Sequence, residues 1–530
     1  MPVINTATKL NKDNFISQVV RYGFFAEQIP ECFNSVMLSN KIKDIMPSVS
    51  IKAKAKDATT SPTTLSTYKN DISRRVLSLP NPEAFLRVVK LMADNWSEIK
   101  SASNSPNSLS PVTYIHTYRQ GASEMLNSEN VRESIRSKSD FVEGIKNCIR
   151  ASLGYKYRLD VDVANCYNTI YTHSIAWAMC GKDEAKKYYR TKMPSSLKSQ
   201  YELADQLDTY MRYQKNNETN GIVVGPFTSR IFSEIIMAEL DRKLTEKGYH
   251  FRRYVDDFKF YFRTESQAQE SLPIIEKVLN EYSLNLNTAK TEIYKYPFDV
   301  ISQMKTAFED ALKKEGVFGV LNTAAQFQIS GEKGAYKYAL KMLKNCEIPL
   351  EDFDIIMPSL TNVMLIDPKY GKYVIDYLKH NIKKLDKDKL SRIMNLELES
   401  SLKTELQQES LIFIQIIKEL SLNLSADNLI NLLKTGDDFS IIIALDIWKN
   451  RNKLVLRSRT EATRINNEIK NLAAALNGET MTGSRWLLLH EIAMHQLIDG
   501  RIMPSMASDP FFTELVRHKI SFYKSIRKKK

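Results

Sequence analysis

Tyr254-Val255-Asp256-Asp257 puts two adjacent carboxylates at the tip of a segment, Tyr254 to Phe262, that reads as a hairpin with Phe258, Phe260 and Phe262 on one face. Carboxylates set in apolar surroundings are costly unless a cation neutralises them. A hard divalent cation with oxygen ligands does so, and a pair of such ions can clamp the attacking and leaving oxygens of a phosphoryl transfer. An Asp-Asp pair by itself is more often only a turn, so its company decides the reading. Upstream, Arg158-Leu159-Asp160-Val161-Asp162-Val163 alternates with period two and predicts a strand. It ends on Asp162, a third carboxylate arriving from another strand, beside the backbone carbonyl of Val163 as a further oxygen ligand. Asp160 shares a face with Asp162 and reads as the ion-pair partner of Arg158.

Other residues fit the same chemistry. Tyr167, five residues after Asp162, can lie under the sugar of an incoming nucleotide, where its ring would collide with a ribose 2′-OH. Gly221 to Ile231 is a Gly- and Pro-bounded turn running into a helix, and its backbone at Gly225 can approach a nucleotide or template base closely. Asn287-Thr288-Ala289-Lys290-Thr291 places Lys290 in a strand-turn context suited to a leaving pyrophosphate.

The elements that must position these groups occupy the first three-fifths of the chain. From Arg158 to about Pro297, short β-rich runs mix with helices, and Asn81 to Lys100 has helical apolar spacing. Asp57 to Thr67 and Ser101 to Val112, crowded with Ser, Thr, Asn and Pro, read as loops. Beyond about residue 300, helical segments follow one another at 335–346, 352–366, 371–384, 388–399, 403–421, 426–435, 438–448, 456–475, 484–497 and 510–526. Ser425 and Asp437 are N-cap candidates there. The pattern predicts two domains, 1–310 and 311–530, the second an irregular stack of helix pairs. The 530 residues carry 75 Lys+Arg against 62 Asp+Glu, a net charge of +13 that favours a polyanionic partner. No apolar run approaches the roughly 18 residues of a membrane span, the start lacks a secretory signal, and the five cysteines show no metal or disulfide spacing. These features predict a soluble cytosolic protein with no membrane partner.

In chain order, DVANCY (162–167), GPFTSR (225–230), YVDD (254–257) and NTAKT (287–291) resemble motifs A, B, C and D of the reverse transcriptase palm. The resemblance spans roughly residues 70–300 and implies an α+β, right-hand polymerase of fingers and palm. It makes Asp162, Asp256 and Asp257 the catalytic, metal-binding carboxylates of a two-metal site for Mg2+ or Mn2+. It makes Tyr167 the steric gate that favours dNTPs, Arg75 the fingers arginine on the triphosphate, and Lys290 the motif D lysine. The 75–82 segment, the 167–175 stretch and the long helical extension resemble bacterial abortive-infection, AbiK-like, prophage-borne reverse transcriptases. That likeness implies an all-α HEAT-like C-terminal domain, a bacterial cytoplasmic setting and anti-phage defence. It further implies untemplated, protein-primed synthesis of single-stranded DNA attached to the protein, a homotrimer or homohexamer, and a phage recombination protein as partner. Two departures stand out: Val224 replaces the Gln that usually precedes the motif B glycine, and Asn168 replaces a common Pro. The alternatives are a templated enzyme of the retron or group II intron type, and a phage-protein-binding scaffold with a vestigial polymerase.

Overall fold

The computed structural model describes residues 4–50, 58–70, 72–119, 138–188, 195–298, 304–332, 334–451, 454–455, 458–501 and 509–526.

The predicted strand with its terminal carboxylate forms as β5, Tyr157–Asp162, in a four-stranded antiparallel sheet with β6 (Phe251–Tyr254), β7 (Asp257–Phe262) and β8 (Glu292–Lys295). The order β6-β7-β5-β8 puts β5 at the centre. Its alternation then pays off in packing: Leu159 and Val161 are buried with Phe258 and Phe260, while Asp160 leaves the core and ties Arg158 through two hydrogen bonds of 2.7 and 2.9 Å. The hairpin begins three residues earlier than read, because Phe251 and Arg253 continue the inward face of β6.

Helices α1 (Phe15–Gly23) and α2 (Pro82–Asp94) pack against each other and against helix α3 (Phe227–Glu246), which is tied to the sheet through Arg253 of β6. Helix α2 starts on Asn81, whose side-chain oxygen accepts from the Glu83 and Ala84 N–H groups, with Pro82 at the first helical position. Helix α3 is buried almost all round, which explains why its polar Glu234 and Asp241 need internal partners. Helix α4 (Glu265–Asn280) follows the hairpin and opens with a capping box between Thr264 and Gln267.

Two strand pairs were not anticipated. β1 (Ile4–Lys9) pairs with β4 (Tyr114–Arg119), and β2 (Thr63–Tyr68) pairs with β3 (Arg74–Leu79). The reading of Asp57 to Thr67 as a loop is corrected at β2, whose β-branched threonines suit a pleated surface once Leu65 is buried beneath it.

The elements of the second half are helices in the described residues, several of them close to those read from the periodicity. Those used below are α5 (Gln407–Leu420), α6 (Asp438–Arg451) and α7 (Trp486–His495). Ser425 caps its helix through Asn428 N–H, and the Asp437 carboxylate accepts from Ser440 N–H. The segment read as one helix over 510–526 stops at Arg517; Lys519 turns left-handed and Ile520 to Ile526 runs as a strap. Asp446 captures that strap, accepting from the Tyr523 and Ser525 hydroxyls and from Ile526 N–H. The helix Met304–Ile329 crosses position 310 and breaks at Gly316 (φ 64°, ψ −146°).

The helical half packs directly on the first half. Phe24 lies against Trp486 and Phe522, and Phe33 against Phe439 and Tyr523, so one hydrophobic core runs through both. Among the described residues, no helix is long and apolar enough to cross a membrane, and no cysteine is paired.

Candidate active site

The register of the central sheet sets Asp162 opposite Asp257, so the last residue of β5 meets the first of β7. Their carboxyl groups lie close enough for each to shift the other's ionisation. Asp162 keeps its charge below the usual carboxylate range. Burial opposes this, but hydrogen bonds from Asn287 and Asp257 and the Lys290 ammonium prevail. Asp257 is pushed up to about 7 by desolvation, by the hydrogen bond to Asp162, and by the negative charges of Asp256 and Asp162. Asp256 is also raised, by burial and by Asp162, with Arg230 and Arg75 acting the other way.

The turn carrying Asp256 is a two-residue hairpin loop, Val255-Asp256, and Val255 has φ 59°. A β-branched residue in the left-handed region at the first loop position, where Gly is usual, holds roughly 1–3 kcal/mol of strain. Three contacts hold it there. Arg253 donates to Val255 O at 2.7 Å, Val255 N–H donates to Ser110 Oγ at 3.2 Å, and Val163 N–H donates to Asp256 O at 3.3 Å. Arg253 is fully buried between Glu234 and Asp241 of α3 and spends its remaining N–H groups on those carboxylates, at 2.7–3.1 Å.

The other anticipated residues divide. Lys290 meets Asp162 Oδ1 at 3.2 Å, on the carboxylate rather than standing free for a leaving group. Tyr167 is half-buried next to the motif C turn; burial pushes its phenol up, and its surroundings include Arg230 and Asp256. Its carbonyl accepts from Ile222 N–H at 2.8 Å, joining the 162–167 turn to the 221–231 turn. Arg75 is exposed on β3, with its charge felt at Asp256. Gly225 has φ 134°, and a Cβ there would lie 2.9 Å from Ala26 Cβ, so its backbone is spent on close packing with the segment after α1. Val224 O accepts from Ser78 N–H at 2.9 Å, tying the β2–β3 hairpin to the same turn. A groove of about 450 Å3 opens here, lined by Thr64, Val76, Ser78, Asn168, Ile222 and Ser484 among others.

Two contributors escaped sequence reasoning. Asn287 donates its backbone N–H to Asp162 O at 2.8 Å and its side-chain amide to Asp162 Oδ2 at 2.7 Å. It belongs to the NTAKT run, so its position was in view although its partner was not. Arg230 bonds Ser110 through Nη2 at 2.8 Å and lies 3.7 Å from Glu234. Only its place one turn into α3 could have signalled it. Arg485 pairs with Asp438, and buried His490 bonds Ile520 O at 2.8 Å.

Three neighbouring carboxylates are the all-oxygen donor set that a hard divalent cation takes, and such a cation would offset their mutual repulsion. Among the described residues, no three acidic, His or Cys side chains are grouped so as to hold a metal ion as they stand.

Residues 108–306 match the family model of reverse transcriptase (RNA-dependent DNA polymerase). The reverse transcriptase likeness lies in that segment, less than half of the chain. The family matched by that segment generally uses divalent metal ions. Solved structures similar to the chain include the apo telomerase of Candida tropicalis truncated from its C-terminal domain, at 14% identity and TM-score 0.29, covering 46% of this chain and 51% of that one. Candida albicans telomerase in complex with a fragment of telomeric RNA aligns at 13% identity and TM-score 0.27, covering 72% and 66%. The apo telomerase of Candida tropicalis aligns at 12% identity and TM-score 0.33, covering 85% and 77%. The chain thus spans about half the length of the first of these and just under two thirds of the second. No curated protein matches the chain.

Proposed function

We propose that the reverse transcriptase domain polymerises dNTPs into DNA for anti-phage abortive infection, without a template and primed from a protein hydroxyl. The observation that carries the polymerase part is the contact of Asp162 with Asp257 beside Asp256, inside the segment that matches the reverse transcriptase family.

In this reading Asp162, Asp256, Asp257 and the Val163 carbonyl hold Mg2+ (Mn2+ as substitute). When bound, the ions would neutralise triphosphate charge and stabilise the attacking and leaving oxygens of an in-line displacement. Asn287 keeps Asp162 oriented, so that its carboxylate is presented in one geometry. Tyr167 excludes a 2′-hydroxyl from the sugar site. Arg75 binds the triphosphate and Lys290 faces the pyrophosphate once it leaves Asp162. Gly225 lets the motif B backbone come close to the nucleotide.

Val224, apolar where a Gln contacts nucleotide and template, favours relaxed or absent templating. The likeness to AbiK-like enzymes supports the remaining readings. These are two domains at 1–310 and 311–530 with a HEAT-like second one, a homo-oligomer, covalently attached single-stranded DNA, a phage recombination protein as partner, and a bacterial cytoplasmic setting.

The test is to incubate nucleic-acid-free protein with Mg2+ and dNTPs alone and analyse it on a denaturing gel. A shifted protein band that collapses on DNase treatment, and is absent from Asp162→Ala protein, is expected. A product formed only with added template and primer would replace this reading with the retron or group II intron type.

A further inference from the structure

The β2–β3 hairpin that carries Arg75 is only two strands, and such a pair is marginally stable in water on its own. Its place must come from its neighbours. On one side Ser78 N–H bonds Val224 O of the motif B turn. On the other side, the first turn of α5 meets the open edge of β2. Gln407 Oε1 accepts from Ser66 N–H at 2.7 Å, and Gln408 Oε1 accepts from Tyr68 N–H at 2.8 Å. Ser66 and Tyr68 are alternate residues, so their N–H groups point the same way off the strand, and two side-chain amides stand in for a missing third strand.

The next residue of α5 adds charge. Glu409, 5% exposed, receives Arg74 in a fork of two hydrogen bonds, Nη1 to Oε1 at 2.9 Å and Nη2 to Oε2 at 2.7 Å. Arg74 also donates to Ser66 Oγ and Ser66 O, at 2.9 and 3.1 Å. A planar guanidinium held at four points fixes direction as well as distance. Because neighbouring residues of a strand face opposite ways, fixing Arg74 on the α5 side fixes Arg75 on the other. Arg75 is the exposed one, with its charge felt at Asp256.

We propose that Arg74 and Glu409 are positioning residues through which the helical half sets where Arg75 meets the triphosphate. This rests on the reading of Arg75 as a triphosphate contact. Gln407 and Gln408 hold the edge of β2, while the ion pair sets the orientation of β3. The helical half thereby enters nucleotide binding without touching nucleotide.

The test compares Glu409→Gln, the exchanged pair Arg74→Glu with Glu409→Arg, Gln407→Ala with Gln408→Ala, and Arg75→Ala. The readouts are the Kd of a fluorescent dNTP with Mg2+ and amide hydrogen exchange over residues 63–79. We expect Glu409→Gln to weaken dNTP binding about tenfold, a loss of about 1.4 kcal/mol, with faster exchange in 63–79. The exchanged pair recovers part of both. Arg75→Ala weakens binding as much but leaves exchange unchanged. The double glutamine variant, which keeps the ion pair, speeds exchange and weakens binding less than Glu409→Gln. If Arg75→Ala weakens binding and folded Glu409→Gln does not, the positioning role falls while the triphosphate reading stands. If Arg75→Ala binds dNTP normally, the triphosphate reading falls first. If Glu409→Gln does not fold, binding unchanged in the double glutamine variant, despite faster exchange, overturns the role.

Discussion

Replacing Arg253 by Met should be among the most damaging single changes in the domain, and the reason can be worked through contact by contact. Arg253 has no exposure and sits between Glu234 and Asp241, which are 1% exposed each. Its guanidinium makes a fork to each carboxylate and one bond to Val255 O. With Arg230 close to Glu234, two cations face two anions in the wild type. Met fills similar volume but leaves about one buried carboxylate without a counter-charge. Breaking a buried pair from one side costs about 3–5 kcal/mol, and the released Val255 turn adds to it. The sign of the pH dependence follows. The orphaned carboxylate takes a raised pKa, so the folded variant binds a proton that the unfolded chain releases above about pH 4. The deficit is therefore largest at neutral pH and shrinks towards pH 5. The assay is urea denaturation followed by intrinsic fluorescence at pH 5.0 and 7.5, with the triple variant Glu234→Gln, Asp241→Asn, Arg253→Met as comparison. The triple variant should recover most of the loss, since neutral groups need no counter-charge. A folded Arg253→Met protein as stable as wild type, or a deficit equal at both pH values, would refute the charge argument.

Three further outcomes are expected. In metal-free protein Asp257 titrates near 7 rather than at its ordinary 3.8, so its contribution to stability is full below about pH 4 and is lost as pH rises to 7. Asp257→Asn should flatten that slope in thermal denaturation between pH 4 and 8, and adding Mg2+ to wild type near pH 6.5 should release protons, read by calorimetry in buffers of different ionisation enthalpy. Gly225→Ala forces a side chain onto φ 134° and within 2.9 Å of Ala26, and should cost about 2 kcal/mol or more; a shift of the denaturation midpoint within error would contradict it. Tyr167→Val should raise ribonucleotide use relative to dNTP at least tenfold in competition, and an unaltered ratio would remove the gate role.

Local pattern carried the central strand a long way. Period two in Arg158–Val163 and the hairpin after Tyr254 place carboxylates at strand ends, and antiparallel registry then brings two of them together. The helical half was equally legible, because each helix announces its buried face every three or four residues. The β2 strand was misread, since Ser and Thr serve turns and pleated edges alike, and only burial of Leu65 and pairing with β3 separate the two.

The sequence by itself determined the candidate set: Asp162, Asp256 and Asp257, the glycine turn, and the order of the four motifs. Tertiary structure alone decided who restrains whom. Asn287 clamps Asp162, Arg253 and Ser110 hold a strained Val255, and Glu409 grips Arg74 from more than 300 positions away. Such pairs have no period and no fixed spacing. They follow from which faces meet when the core closes, and chain distance carries no record of that.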